Sequence, residues 1–182
     1  MDVLIVGDGP GGLSAALFLA RAGKQVVVFG QDETAMNWAM LNNYLGVEHI
    51  GGTELQRIAR TQVAGAGGTL RDAKVVSVAR TDAGFVATLE DGEQVTARLL
   101  VLSEGKSPLL ARSLGCAEEG GRIAVDAQGL TSVAGVYAVG RMVRPTRSQA
   151  IISAGDGAKA ALDILARETG RDVQDWDQVA DG

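Results

Sequence analysis

The sequence predicts an α/β fold with a doubly wound parallel sheet, and three observations predict it. A buried apolar run, Val3 to Val6, feeds Gly7-Asp-Gly9-Pro-Gly-Gly12 and an apolar helix to about Ala22, and a second apolar run, Val26 to Phe29, follows. Between residues 69 and 98 the pattern changes to period two, with Asp91-Gly92 as a hairpin signal. Near the C-terminus a short apolar run bounded by glycine, Gly135-Val-Tyr-Ala-Val-Gly140, precedes a long helix. Continuously apolar strands joined through helices read as a parallel sheet, and alternating strands as an antiparallel meander.

The first unit carries chemistry. Gly7-x-Gly9-x-x-Gly12 between strand and helix is the dinucleotide-binding fingerprint in its required context. Gly7 lets the chain turn sharply, Gly9 lets the backbone approach a pyrophosphate, and Gly12 lets helix press on strand. The N-terminus of the helix then offers unpaired N–H groups and a positive dipole end to the phosphates. An acid at the tip of the second strand is the usual ribose partner, but Gly30 holds that place. Asp32 and Glu33 follow it, either as ribose partners or as solvated loop acids. No Arg or Lys stands between Gln31 and Met40 to receive a 2′-phosphate.

The long irregular stretch from Gln31 to Gly52 contains Trp38, Asn43, Tyr44 and the sole histidine, His49; loops of that length signal function or a short extra helix. Thr53 reads as the N-cap of a helix with Leu55, Ile58, Ala59 and Val63 on one face, stopped by the glycines at 65, 67 and 68. Runs at 69–78, 84–90 and 93–97 form the meander, and Arg98 to Leu102 rejoins the main sheet. Leu109 to Leu114 reads as a helical turn or two, Glu118-Glu119 as a solvated turn, and Arg122 to Val125 as a short strand. The last helix starts near Ser148 or Gln149; Ala154, Gly155 and Gly157 on its early turns imply close packing on a ligand or on another backbone.

Composition narrows the classes. A net charge of −5 argues against nucleic acid, which needs clustered Lys and Arg. One cysteine, Cys116, leaves no intramolecular disulfide, Cys-x-x-Cys pair or cysteine zinc site, and no metal site is expected. No apolar run nears the roughly 18 residues that span a bilayer, and the start lacks a basic leader. A cytoplasmic location is expected. The nucleophile elbow, the Walker lysine and the Tyr-x-x-x-Lys pair are all absent.

Four segments together resemble the FAD-binding domain of thioredoxin-reductase-like flavoproteins. They are Val6 to Gly12, Asn43-Tyr-Leu-Gly46, Thr96 to Gly105, and Gly135 to Gly140 followed by Gln149-Ala-Ile-Ile-Ser-Ala-Gly155. The resemblance implies a doubly wound, Rossmann-like FAD-binding domain over 1–168 with a small antiparallel β meander inserted at about 69–98. An acidic tail with Trp176 occupies 169–182. It implies FAD as cofactor, held by Gly7, Gly9, Gly12, Tyr44, Gly140, Gln149 and Ala150, with the 149 helix pointing at the flavin's pyrimidine end; Pro10, Asp32, Gly105, Arg141 and Ile151 complete the expected cofactor-binding set.

The chain departs from that family in three places. Arg141 replaces the acid that bonds a ribityl hydroxyl, and reaches either a phosphate or solvent. Ser103-Glu-Gly105 replaces Ala-Thr-Gly. The NADPH domain with its second fingerprint and Cys-x-x-Cys is missing between the two halves, which resembles the short single-domain relatives of thioredoxin reductase. The expectation is an FAD-dependent oxidoreductase fed by a separate electron donor (a reductase, NAD(P)H or a small thiol), with no thioredoxin dithiol relay. Its acceptor is unspecified, and a second copy is a candidate cover for the face left bare. Two other classes stay open: a catalytically silent FAD-binding sensor or subunit, and an NAD-binding dehydrogenase fragment. Cys116 is expected to be a buried inert thiol, and His49 to be structural rather than a proton donor. The cluster Arg141, Arg144 and Arg147 is read as a solvated loop or an anion contact.

Overall fold

A computed structural model describes residues 1–174; of the tail expected over 169–182, Thr169 ends the last helix, and residues 175–182, with Trp176, lie outside the described residues. Strand β1 (Val3–Val6), helix α1 (Pro10–Arg21) and strand β2 (Val26–Gly30) come first. A 3-10 turn (Ala35–Trp38), the short pair β3 (Met40–Leu41) and β4 (Ile50–Gly51), and helix α2 (Gly52–Gly65) follow. Then come β5 (Thr69–Asp72), β6 (Val75–Thr81), β7 (Gly84–Leu89), β8 (Gln94–Ala97) and β9 (Leu99–Leu102). Helix α3 (Leu109–Ser113), the pair β10 (Glu118–Glu119) and β11 (Arg122–Ile123), strand β12 (Val136–Ala138) and helix α4 (Ala150–Thr169) complete the order.

The central sheet is parallel throughout, in the order β12-β9-β1-β2-β5, with Val3 beside Val26 on one side and Leu99 on the other. Strands β1, β9 and β12 and the first four residues of β2 are apolar because both faces are covered, whereas the edge strand β5, Thr-Leu-Arg-Asp, is polar and has no buried residue. Leu4, Val6, Val27, Phe29, Leu100 and Leu102 face the antiparallel meander β6-β7-β8, meeting Val78, Phe85, Ala87 and Leu89. Val3, Ile5, Val26, Val28 and Val101 face the helices, meeting Leu13, Ala16 and Leu19 of α1 and Ala160, Ala161 and Ile164 of α4. Successive side chains of a strand point to opposite faces, so each four-residue run supplies both halves of the core.

Four details differ from the sequence expectations. Thr69–Asp72 pairs in parallel with β2 and belongs to the main sheet, so the meander starts at Val75 rather than 69. Helix α2 begins one residue before Thr53 and has Gly51 at its N-cap; a β-carbon on Gly52 would fall on the Met36 carbonyl, so this start is set by packing under the 3-10 turn. On the same helix Val63 is buried but Leu55, Ile58 and Ala59 are only half-buried, while Gln56 is fully enclosed. Glu118 and Glu119 form the two-residue β10 instead of a plain turn, and Glu118 pairs with Arg112.

Candidate functional site

A cleft of about 530 Å³ opens where the strand order reverses, at the C-terminal ends of β1, β2, β9 and β12. Val6, Gly30, Ser103 and Gly140, each at or just beyond a strand end, line it. Crevices at such switch points are where open α/β sheets bind ligands, and the volume suits a cofactor-sized molecule.

The glycine loop forms one wall. A β-carbon on Gly7, which has φ +98, would strike the Ser103 carbonyl, and one on Gly12 would strike the carbonyl of Gly7. The protein itself therefore needs both. Gly9 is different: its φ of −69 suits any residue, and a β-carbon there would meet nothing within 4 Å. The space that Gly9 keeps free is the cleft. Gly9 is the N-cap of α1, no side chain caps this end, and the first turn has no acid. Unpaired amides, the positive dipole end and open space at one glycine fit a diphosphate.

The opposite wall comes from the C-terminal half. Gly140 and Arg141 lie in a 3-10 turn (Gly140–Met142), and both line the cleft with Gly105, Ser148, Ala150 and Ser153. Arg141 is half-buried and has no ion-pair partner among the described residues, whereas Arg144 bonds Asp156 at 2.9 Å and Arg147 is exposed. The arginine cluster is thus divided: one cation serves the cleft and one anchors α4. Helix α4 also begins without an acid in its first turn, and Gln149 at its N-cap accepts a bond from Asn43 Nδ2 at 3.2 Å. That bond ties the 43–46 segment to the helix start.

Other expected residues sit apart. Tyr44 is half-buried and lines a smaller pocket of about 130 Å³ with Leu13, Ser14 and Ala154; the two pockets share Pro10. Ile151 is 36% exposed at the start of α4 and, like Gly12, Gln149 and Asp32, does not line the large cleft. His49 is exposed and its Nδ1 lies 2.7 Å from Asn42 Oδ1. Gly157 packs on the Gly11 carbonyl, so it serves the contact of α4 with α1 and not a ligand. Cys116 is buried beside Thr131, and burial pushes its thiol above the ordinary value.

Two acids gain roles that the sequence reading missed. Glu104 accepts bonds from the amides of Leu110 (2.8 Å) and Ala111 (3.0 Å), capping α3; burial pushes its carboxyl above the usual range against the pull of those amides. Asp8, 3% exposed, accepts from the Asp32 amide at 3.1 Å and from Arg60, which also pairs with Asp72, while its carbonyl accepts from Gln56. The available signal was Gln56 and Arg60 at i and i+4 on α2, polar residues on one face opposite a polar residue inside the fingerprint. Among the described residues no group of three or more metal-binding side chains forms, and no helix is long and apolar enough to cross a membrane.

Comparison with known proteins agrees with this geometry. The thioredoxin reductase of Mycolicibacterium smegmatis is 30% identical over 164 residues, covering 89% of this chain and 50% of that protein. The thioredoxin reductase tcpT of Claviceps purpurea is 32% identical over 128 residues, covering 67% of this chain and 40% of that protein. The chain thus spans half or less of these curated relatives. Among solved structures, a thioredoxin reductase from Gloeobacter violaceus superposes with a TM-score of 0.87 at 19% identity, covering 97% of this chain and 98% of that one. The atypical thioredoxin reductase TRi from Desulfovibrio vulgaris Hildenborough gives 0.85 at 19% identity, covering 93% and 98%. The parallel sheet with its inserted meander is therefore the thioredoxin-reductase-like, Rossmann-type arrangement. A family model described as pyridine nucleotide-disulphide oxidoreductase matches residues 1–54 and 52–158, and the chain belongs to that family.

Proposed function

We propose that the cleft holds FAD and that the protein is an oxidoreductase whose flavin exchanges electrons with a separate donor. The observation that carries this reading is the two-walled cleft. An uncapped helix start with open space at Gly9 faces one end, while Gly140, Arg141 and the start of α4 line the other. A mononucleotide would need only the first wall.

Gly7, Gly9, Pro10 and the first turn of α1 would hold the diphosphate, and Gly105, Gly140 and Ala150 would border the flavin half. Bound flavin supplies the electron-transfer chemistry. The chain's own contribution is to bind and orient it and to set a positive environment: an N-terminus free of acids at α4, with Arg141 beside it, favours the more negative, reduced form. A dithiol relay within this chain has no support, since its one cysteine is buried and burial disfavours its thiolate. β9 and β12 are sheet neighbours joined by residues 103–135 alone, which contain no second glycine fingerprint. The reductant must therefore reach the flavin from outside this domain.

The test is anaerobic titration of the FAD-loaded protein with NADH, NADPH and a reduced thiol, followed by the visible flavin band. Bleaching by at least one donor is expected. A flavin that none of them reduces, and that accepts no electrons from a reductase either, contradicts the redox role.

A further inference from the structure

We propose that Asp8 supplies the carboxylate that receives the ribose hydroxyls of the bound adenosine, in place of an acid at the tip of β2. The proposal rests on the reading of the cleft as an FAD site and deepens it. The tip of β2 is Gly30, and a β-carbon there would fall on the carboxyl group of Asp8. The two positions are sterically exclusive: with Asp8 in this place, no side chain fits at 30, and the carboxylate stands over the strand tip from the neighbouring loop.

The bonding pattern leaves one oxygen for a ligand. Asp8 Oδ2 is occupied by the Asp32 amide and by Arg60. No bond to Oδ1 from a described residue is seen, and no fully enclosed side-chain oxygen among the described residues lacks a partner, so Oδ1 keeps some exposure in a residue that lines the cleft. Ionised carboxylates only accept hydrogen bonds, and vicinal hydroxyls donate them. Gln56 on the Asp8 carbonyl and Arg60 on its carboxylate fix the group from α2, a rigid element. Arg60 is shared with Asp72, so two carboxylates face one guanidinium. That excess of negative charge suits free hydroxyls and repels a 2′-phosphate. Asp32 takes part through its backbone, turned into the left-handed region at φ +54, rather than through its own carboxylate.

The experiment measures binding of ADP and of 2′,3′-dideoxy-ADP to the full chain freed of flavin, alongside binding of FAD. The wild type is expected to prefer ADP by about tenfold or more, the scale of hydrogen bonds to a charged group. Asp8→Ala should bring the two affinities together, and Asp32→Ala should leave the preference intact. Should Asp8→Ala fail to fold, the swap Asp8→Gly with Gly30→Asp removes the collision and returns an acid to the strand tip; it is expected to fold and keep the preference. A preference that survives in Asp8→Ala, or its absence from a folded swap, overturns the assignment. So does equal loss of both nucleotides in Asp8→Ala with the ratio unchanged, which marks a purely structural ion pair. Wild-type protein that binds FAD but does not distinguish the two nucleotides overturns Asp8 alone, whereas protein that binds neither FAD nor ADP overturns the flavin site with it.

Discussion

Arg141 is the arginine of the 141–147 cluster that lines the cleft. It lies in the cleft with no carboxylate to pair with among the described residues, although Arg144, three positions on, is held by Asp156. In the proposed site this cation faces the flavin end of an anionic cofactor, so Arg141→Asp should weaken FAD binding by about tenfold, ~1.4 kcal/mol. Flavin fluorescence titration measures this, and an unchanged affinity would place the guanidinium in solvent. Gly7 and Gly12 were legible from spacing alone, because the strand and helix around them dictate the turn. Asp8 was not: its neighbours Gln56, Arg60 and Asp72 are 48 to 64 positions away, and only the folded chain brings them to the strand tip.

At the scale of elements, α1 and α4 are bound through backbone as much as side chain. Gly157 lies against the Gly11 carbonyl, so Gly157→Val must push the helices apart beneath the glycine loop. Overpacking against backbone destabilises by about 3 kcal/mol, and urea unfolding should show that loss. Gly155→Ala, whose added carbon meets open space, should leave stability unchanged or slightly raised. Helix α3 carries a pH signature. Burial holds the Glu104 carboxyl above its ordinary value, so the folded state retains a proton that the unfolded chain releases. Its contribution is therefore fully present below the unfolded value and is lost as pH rises through the folded one. Relative to Glu104→Gln, the wild type should gain thermal stability as pH is lowered from neutrality toward 4.5, the ordinary Glu value; a constant difference in melting temperature would contradict this. The apolar strands and both long helices were visible as patterns. Two boundaries were not, because tertiary packing set them: Thr69–Asp72 is captured by β2, and α2 starts where Gly52 fits under Met36.

For the whole molecule, the order β12-β9-β1-β2-β5 explains how residues far apart in sequence form one cleft. Each parallel strand delivers its C-terminal end to the same edge, so Gly9, Gly30, Ser103 and Gly140 converge. The meander closes one face and α1 with α4 the other, and the cleft opens at the strand ends between them. The proposed reduction of a flavin from outside the domain draws on that arrangement and on the short passage from β9 to β12. It depends on the cleft holding FAD. Titrating the protein with FAD, in parallel with Gly9→Val, tests this most directly. Valine has room in the protein at position 9 but would stand where the diphosphate must approach. The wild type should bind one FAD per chain, and Gly9→Val should lose at least about a hundredfold in affinity, ~2.7 kcal/mol, with its unfolding transition unchanged. Wild-type protein that retains no FAD, or a Gly9→Val variant that binds it equally well, would contradict the site.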